Sequence, residues 1–173
     1  MSYLQDVPQY GLHVKPILQA LLLAERIYEI NPTAQKIIVG TFNQITLSSS
    51  HPSRIVEQGD GTKAAFVRGG NAGDPWVYIS LTDVNAGTKV SLQFVDIALN
   101  EVLFSSESTI TKASKLHTIE MVLQLPSLGP FVHGRSGPFS FDVLWDGEIL
   151  GSHRIFLVDE TGRPKGDEGA SDE

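Results

Sequence analysis

The sequence predicts a mainly β protein, an antiparallel sandwich of two sheets, and three observations indicate this class. Apolar and polar residues alternate with a period of two in several segments, as in strands with one face on a core. Clusters of turn-forming residues separate these segments. The chain has 173 residues and no cysteine, a length that supports one domain with a single core and no disulfide framework.

The clearest alternation lies between residues 76 and 96. Val77, Ile79 and Leu81 alternate with polar or aromatic residues, and a second run from Lys89 to Phe94 repeats the pattern. Residues 83–87, which join the two runs, are rich in turn formers. These segments predict a hairpin.

Further strands are expected in the second half of the chain. One is predicted from Val102 to about Thr111 and another from Leu116 to Leu125. A closing hairpin is predicted more sharply, because alternation over residues 139–145 leads to Asp146-Gly147, a dipeptide suited to a type I′ turn, and resumes over residues 149–157.

The amino-terminal third is ambiguous by periodicity. The apolar residues of Ile17–Ile30 fit both a helical stripe and a strand face. Its leucines and alanines favour helix, whereas a chain that continues in strands favours a central strand. The run Lys36–Leu47 is β-like. The Gly-rich stretch of residues 59–74 contains a short apolar patch, Ala64–Val67, which is either an edge strand or part of an excursion from the sandwich.

Three segments, Pro16–Ile27, Lys36–Phe42 and Phe139–Gly151, resemble a family of uncharacterised bacterial β-sandwich proteins with an immunoglobulin-like domain. The likeness spans about residues 15–158. It implies a strand for Ile17–Ile27 and an insertion at residues 59–74. It implies a fold and no activity.

The chain therefore divides into an amino-terminal arm, residues 1–14, one sandwich domain, residues 15–158 with the insertion at 59–74, and an acidic tail, residues 159–173. The tail contains no large apolar residue after position 158 and is expected to be disordered. Its six acidic and two basic residues contribute −4 of the net charge of −7. The remaining charge is small and the cations are scattered, which argues against nucleic acid as a partner.

Neither a membrane segment nor a secretory signal is predicted. The longest apolar stretch, residues 17–30, is interrupted by Gln19, Glu25, Arg26 and Glu29, so it is too short and too charged to span a bilayer. The start of the chain has neither a basic region nor an apolar run. We expect a cytoplasmic protein that does not associate with membranes.

No motif for catalysis, metal binding or a cofactor occurs in the sequence, so we predict a noncatalytic protein without a cofactor. The five histidines are dispersed without metal-ligand spacing. The loop of residues 126–138 combines Phe131, His133 and Arg135, and arginine and aromatic residues are favoured interface anchors. We take these three as the candidate binding residues. In the alternative interpretation, Phe131 plugs the end of the sandwich and Arg135 is solvated.

The favoured function is a noncatalytic binding or accessory domain whose partner is another protein. The alternative is a small-molecule or carbohydrate binder that uses Trp76, Tyr78 and Trp145 as stacking surfaces. An enzyme whose site assembles from distant loops ranks lowest. Homo-oligomerisation stays open, because exposed edge strands favour pairing.

Overall fold

A computed structural model describes residues 14–47, 53–57, 63–67, 75–111, 118–132 and 134–159. These residues form eleven strands and one short helix. The elements are β1 Ile17–Ile30, β2 Gln35–Thr41, β3 Gln44–Leu47, β4 Ser53–Glu57, β5 Lys63–Val67, β6 Trp76–Thr82, β7 Lys89–Asp96, β8 Glu101–Thr109, β9 Ile119–Gln124, α1 Gly129–Val132, β10 Gly137–Trp145 and β11 Glu148–Asp159.

Two sheets form a sandwich, and the predicted fold class is confirmed. Sheet A has the strand order β2-β1-β6-β9, and sheet B has the order β3-β11-β10-β7-β8. All pairings within them are antiparallel except that of β3 with β11, which is parallel. The strands alternate because each sheet buries one face against the other.

The strand order is that of an immunoglobulin-like sandwich. If β6 and β9 are strands B and E, then β7, β8, β10 and β11 are strands C, C′, F and G. Sheet B then contains the G-F-C-C′ order that variable-type immunoglobulin domains share. Strand β1 takes the place of strand A beside strand B.

A phenylalanine stack forms the centre of the core. Phe94 on β7 stacks on Phe139 and Phe141 of β10, with ring centroids 5.3 and 4.8 Å apart. All three side chains are fully buried. Antibody domains pack a tryptophan of strand C against a disulfide between strands B and F. Here aromatic rings on strands C and F fill the core without cysteine.

The amino-terminal segment is a strand. β1 covers Ile17–Ile30, which confirms the β assignment that the resemblance implied. The run Lys36–Leu47, predicted only as β-like, is divided between the sheets, because the chain leaves sheet A after β2 and enters sheet B as β3. Asn43 lies at this crossing, where its carbonyl accepts a hydrogen bond from the amide of Phe156 at 2.8 Å.

The apolar patch Ala64–Val67 lies in β5, which pairs with β4 in a separate two-stranded sheet. Of the two alternatives, the excursion from the sandwich is therefore the observed one. Residues 58–62 and 68–74 lie outside the described residues, as do residues 1–13 and the tail after Asp159. The predictions for the amino-terminal arm and the tail remain predictions.

The closing hairpin has the predicted turn. Asp146 and Gly147 have φ angles of +49° and +78°, the pair of positive values that a type I′ turn requires. In the described part of the chain, no helix is long and apolar enough to cross a membrane.

Candidate functional site

The loop after β9 closes one end of the sandwich. Its helix α1 places Phe131 against Phe104 of β8, with ring centroids 5.7 Å apart in a tilted arrangement. The amide of Phe131 donates to the carbonyl of Leu128 at 3.0 Å. The ring is half-buried and packs against the core, so its contacts stabilise the end of the sandwich.

A largely buried ion pair anchors the same loop to β7. The Nη1 atom of Arg135 lies 3.0 Å from Oδ2 of Asp96, whose side chain is 5% exposed against 33% for Arg135. Oδ1 of Asp96 accepts a hydrogen bond from the amide of Leu99 at 3.1 Å. The Nε atom of Arg135 donates to the carbonyl of Val132 at 3.1 Å. The guanidinium is thus committed to contacts within the fold.

Two of the three candidate binding residues contact other parts of the fold. Phe131 contacts the aromatic ring of Phe104, Arg135 contacts the carboxylate of Asp96, and His133 lies outside the described residues. Their binding role stays a prediction. Substitutions of Phe131 or Arg135 alter packing as well as any binding, so they are poor probes of a surface.

His153, the one histidine among the described residues, contacts the segment that joins β2 to β3. His153 on β11 is half-buried, and its Nε2 atom lies 3.4 Å from the carbonyl oxygen of Phe42. Among the described residues, no three His, Cys, Asp or Glu side chains are placed to hold a metal ion.

Strand β6 presents two aromatic side chains on the outward face of sheet A. Trp76 and Tyr78 alternate along β6 with buried Val77 and Ile79 and are themselves half-buried. The hydroxyl of Tyr78 donates to Oε1 of Glu120 at 2.6 Å. Burial, followed by this hydrogen bond, raises the pKa of Tyr78 above 10.0.

The three rings of the carbohydrate-binding alternative do not share one strand or sheet. Trp145 ends β10 in sheet B, whereas Trp76 and Tyr78 belong to sheet A. A common stacking platform of all three rings is therefore absent from the described structure.

The ends of β1 and β2 form a two-stranded extension of sheet A, called the arm below; it is not the amino-terminal arm of residues 1–14. The register of β1 with β6 ends at the pair Ala24–Trp76, whereas its register with β2 continues to Ile30–Gln35. Among the described residues, residues 25–30 of β1 therefore pair only with β2. Because strands rise about 3.3 Å per residue, this arm reaches roughly 20 Å beyond the start of β6.

One side of this arm is apolar and exposed. Tyr28 lies directly opposite Ile37, and Ile30 and Val39 occupy the neighbouring rows on the same side. We call these four residues the arm face. Their exposed fractions are 50% for Tyr28, 40% for Ile30, 45% for Ile37 and 43% for Val39.

The opposite side of the arm combines charged residues with the pair Ile27–Ile38, of which Ile27 is 9% exposed. Lys36 forms an ion pair with Glu29 across the two strands. Further along, Gly40 has a φ of +66°. The side chain of Glu25 fills the space over it: Oε2 of Glu25 lies 2.9 Å from the point where a Cβ atom would stand if residue 40 had a side chain. The sequence did not predict that β1 and β2 extend beyond β6. Its alternation is visible in residues 26–30 and 37–39, but alternation alone does not distinguish an arm from a core strand.

No family model matches the chain, and no curated protein matches it. Among solved structures, the chain is similar to an immunoglobulin-like protein from Pseudomonas aeruginosa, with 10% sequence identity and a TM-score of 0.41 over 85% of this chain and 99% of that one.

Proposed function

We propose that this chain is a noncatalytic binding module that contacts another protein through the outward side of sheet A, with the arm face at its centre. The observation that carries the proposal is the exposure of the arm face. Four large apolar side chains on two adjacent strands are each 40–50% exposed.

A contiguous apolar surface of this kind indicates an interaction site. Single exposed apolar residues are normal, but grouped ones favour contact with a partner because contact removes their surface from water. A two-stranded ribbon is only marginally stable by itself. A partner that covers the arm face would therefore also stabilise the arm.

The composition around the arm face suits a protein partner. Arg26 lies between the row of Tyr28 and the row of Trp76, and protein interfaces are enriched in arginine and aromatic residues. The carbohydrate alternative retains only Trp76 and Tyr78, and the hydroxyl of Tyr78 is already bonded to Glu120.

The test compares two charge insertions with matched exposure. Tyr28 on sheet A is 50% exposed and Phe156 on sheet B is 51% exposed. Tagged wild-type chain, Tyr28→Glu and Phe156→Glu are used for affinity capture from a lysate of the source organism, followed by quantitative mass spectrometry. We expect one protein to be enriched by the wild-type chain and Phe156→Glu and to be lost with Tyr28→Glu.

Circular dichroism and thermal unfolding establish that both variants are folded. Equal capture by the two variants would contradict the proposed surface. If no protein is enriched over a tag-only control, protein binding under these conditions is rejected. A glycan that binds the wild-type chain but not Trp76→Ala would support the carbohydrate alternative instead.

A further inference from the structure

We propose that two copies of this chain pair through β2, antiparallel and centred on Ile38, so that two four-stranded sheets join into one across a two-fold axis. This inference goes beyond the proposed function and does not depend on it, because the pairing uses the edge of sheet A and leaves the outward side of Tyr28 free. Four features of β2 carry the inference.

The first feature is an unpaired edge. β2 is the terminal strand of sheet A, and in the described part of the chain it pairs only with β1. It is seven residues long and lacks proline. Long edge strands without such protection are templates for pairing with another chain.

The second feature is a self-complementary sequence. In an antiparallel pairing about Ile38, each Ile37 lies opposite a Val39 of the other copy, and the two Ile38 residues face each other. β-branched residues in directly opposite positions stabilise a strand pair. The Ile37 and Val39 pairs also join the two arm faces into one apolar surface.

The third feature is charge complementarity. The same register places Lys36, the sole charged residue of β2, opposite Gly40 of the other copy. The carboxylate of Glu25 fills the space over Gly40, so the lysine of each copy meets the glutamate of the other. Within the described part of the chain, Glu25 has no ion-pair partner of its own, and the ammonium of Lys36 has three donors, of which Glu29 takes one.

The fourth feature is the glycine itself. Gly40 lacks a Cβ atom and has a φ of +66°. Glycine adopts a positive φ without the steric cost that a Cβ atom brings. Here it leaves the space that Glu25 occupies beneath the incoming lysine.

The two edge strands of sheet B are less suited to the same arrangement. The edge strand β8 carries Glu101 and Glu107, which face each other if two copies pair about Phe104, and directly opposed like charges destabilise a strand pair. The edge strand β3 is only four residues long.

Charge reversal with rescue tests the proposed ion pairs. Sedimentation velocity over a range of concentrations measures the monomer–dimer equilibrium of the wild-type chain, Lys36→Glu, Glu25→Lys and the double variant. We expect the wild-type chain to dimerise and each single reversal to weaken dimerisation at least tenfold. The double variant should recover part of it, because opposite charges again face each other between the copies, whereas Glu29 still lacks its partner Lys36. Lys89→Glu, an exposed reversal on sheet B, is the control and should dimerise normally.

A disulfide trap tests the two-fold axis directly. The natural chain has no cysteine, and residues that face each other in antiparallel strands have Cα atoms about 4.5–5.5 Å apart, within the range of a disulfide. Under mild oxidation Ile38→Cys should give a covalent dimer. Ser105→Cys on the edge strand β8 should stay largely monomeric.

The outcomes separate this inference from the proposed function. A wild-type chain that is monomeric at every concentration overturns the inference, as does a double variant that remains monomeric or an equal yield of covalent dimer from both cysteine variants. Tyr28→Glu should still dimerise, because Tyr28 is not on β2. Loss of partner capture in that variant together with normal dimerisation shows that the two surfaces act independently.

Discussion

At the scale of single residues, the Asp96–Arg135 pair explains how an irregular loop keeps one position. The carboxylate of Asp96 is almost fully buried and accepts from both Arg135 and the amide of Leu99. A buried charge that loses its partner keeps its desolvation cost. The ion pair therefore mainly fixes the position of the loop. Compared with an apolar pair at the same place, it adds little to the free energy of unfolding.

We predict that Arg135→Met lowers the free energy of unfolding by about 1.5–3 kcal/mol, the range for hydrogen bonds to charged groups. The methionine retains part of the aliphatic packing, so the change reports mainly on the lost polar contacts with Asp96 and Val132. Urea unfolding measures it. Lys89→Met is the control, because it removes an exposed ion pair with Glu107 and should leave the unfolding midpoint unchanged. An equal loss of unfolding free energy in both variants would contradict the prediction.

Tyr78 gives a residue-level prediction for alkaline pH. Burial and the hydrogen bond to Glu120 raise the pKa of Tyr78, so the folded state favours the neutral phenol. This contribution to stability is complete below the unfolded pKa of 10.0 and is lost as the pH rises through the higher folded pKa.

Ultraviolet titration of the wild-type chain minus that of Tyr78→Phe isolates the ionisation of Tyr78. We expect its midpoint above 10.0. Glu120→Gln should lower the midpoint but leave it above 10.0, because burial is the larger cause. A midpoint at or below 10.0 in the folded wild-type chain would refute the assignment.

At the scale of secondary-structure elements, the closing hairpin shows what a local sequence can specify. Asp146-Gly147 adopts the predicted turn, and the residues on both sides alternate because one face of β10 and β11 is buried. Neighbouring residues specify the turn and the alternation on both sides of it, so the hairpin could be predicted from the sequence.

The turn between β10 and β11 leads to a prediction for the stability of a glycine variant. Gly147 has a φ of +78° with open space around its Cα atom, so Gly147→Ala costs backbone strain without a clash, about 1–2 kcal/mol. Gly129→Ala is the control, because an added Cβ atom there meets only Leu47 at 3.8 Å. Thermal unfolding should show a lower midpoint for Gly147→Ala only; equal midpoints would exclude strain at the turn.

Elements that depend on distant residues were less predictable. The sequence did not show that Lys36–Leu47 divides between two sheets, because that depends on β11 accepting β3 as a parallel neighbour. The arm was missed for a similar reason. Apolar alternation in β1 and β2 predicts a buried face. In the described structure, the start of β6 at Trp76 leaves residues 25–30 without a second neighbouring strand.

At the scale of the whole molecule, the core holds together by aromatic packing between strands. Sequence alternation placed Phe94, Phe139 and Phe141 on inward faces, but the stack among them arises from the register of β7 with β10. The candidate binding loop shows the same limit. Its composition singled out Phe131 and Arg135, whereas their contacts with Phe104 and Asp96 depend on the folded arrangement.

The phenylalanine stack leads to a prediction for global stability. Phe94→Ala removes a fully buried ring that contacts two others and should cost about 3–5 kcal/mol. A domain of this size has a total stability of about 5–15 kcal/mol, so the loss is a large fraction of the total. Phe156→Ala, which truncates a ring that is 51% exposed, is the matched control.

Urea unfolding should give a much lower midpoint for Phe94→Ala with an unchanged m-value, since the surface exposed on unfolding is nearly the same. Similar midpoints for the two alanine variants would mean that the stack is not the centre of the core. A reduced m-value would instead show that the substituted chain no longer unfolds in one cooperative step. A lower midpoint confined to Phe94→Ala is the result expected if the buried phenylalanine stack of β7 and β10 is the centre of the core.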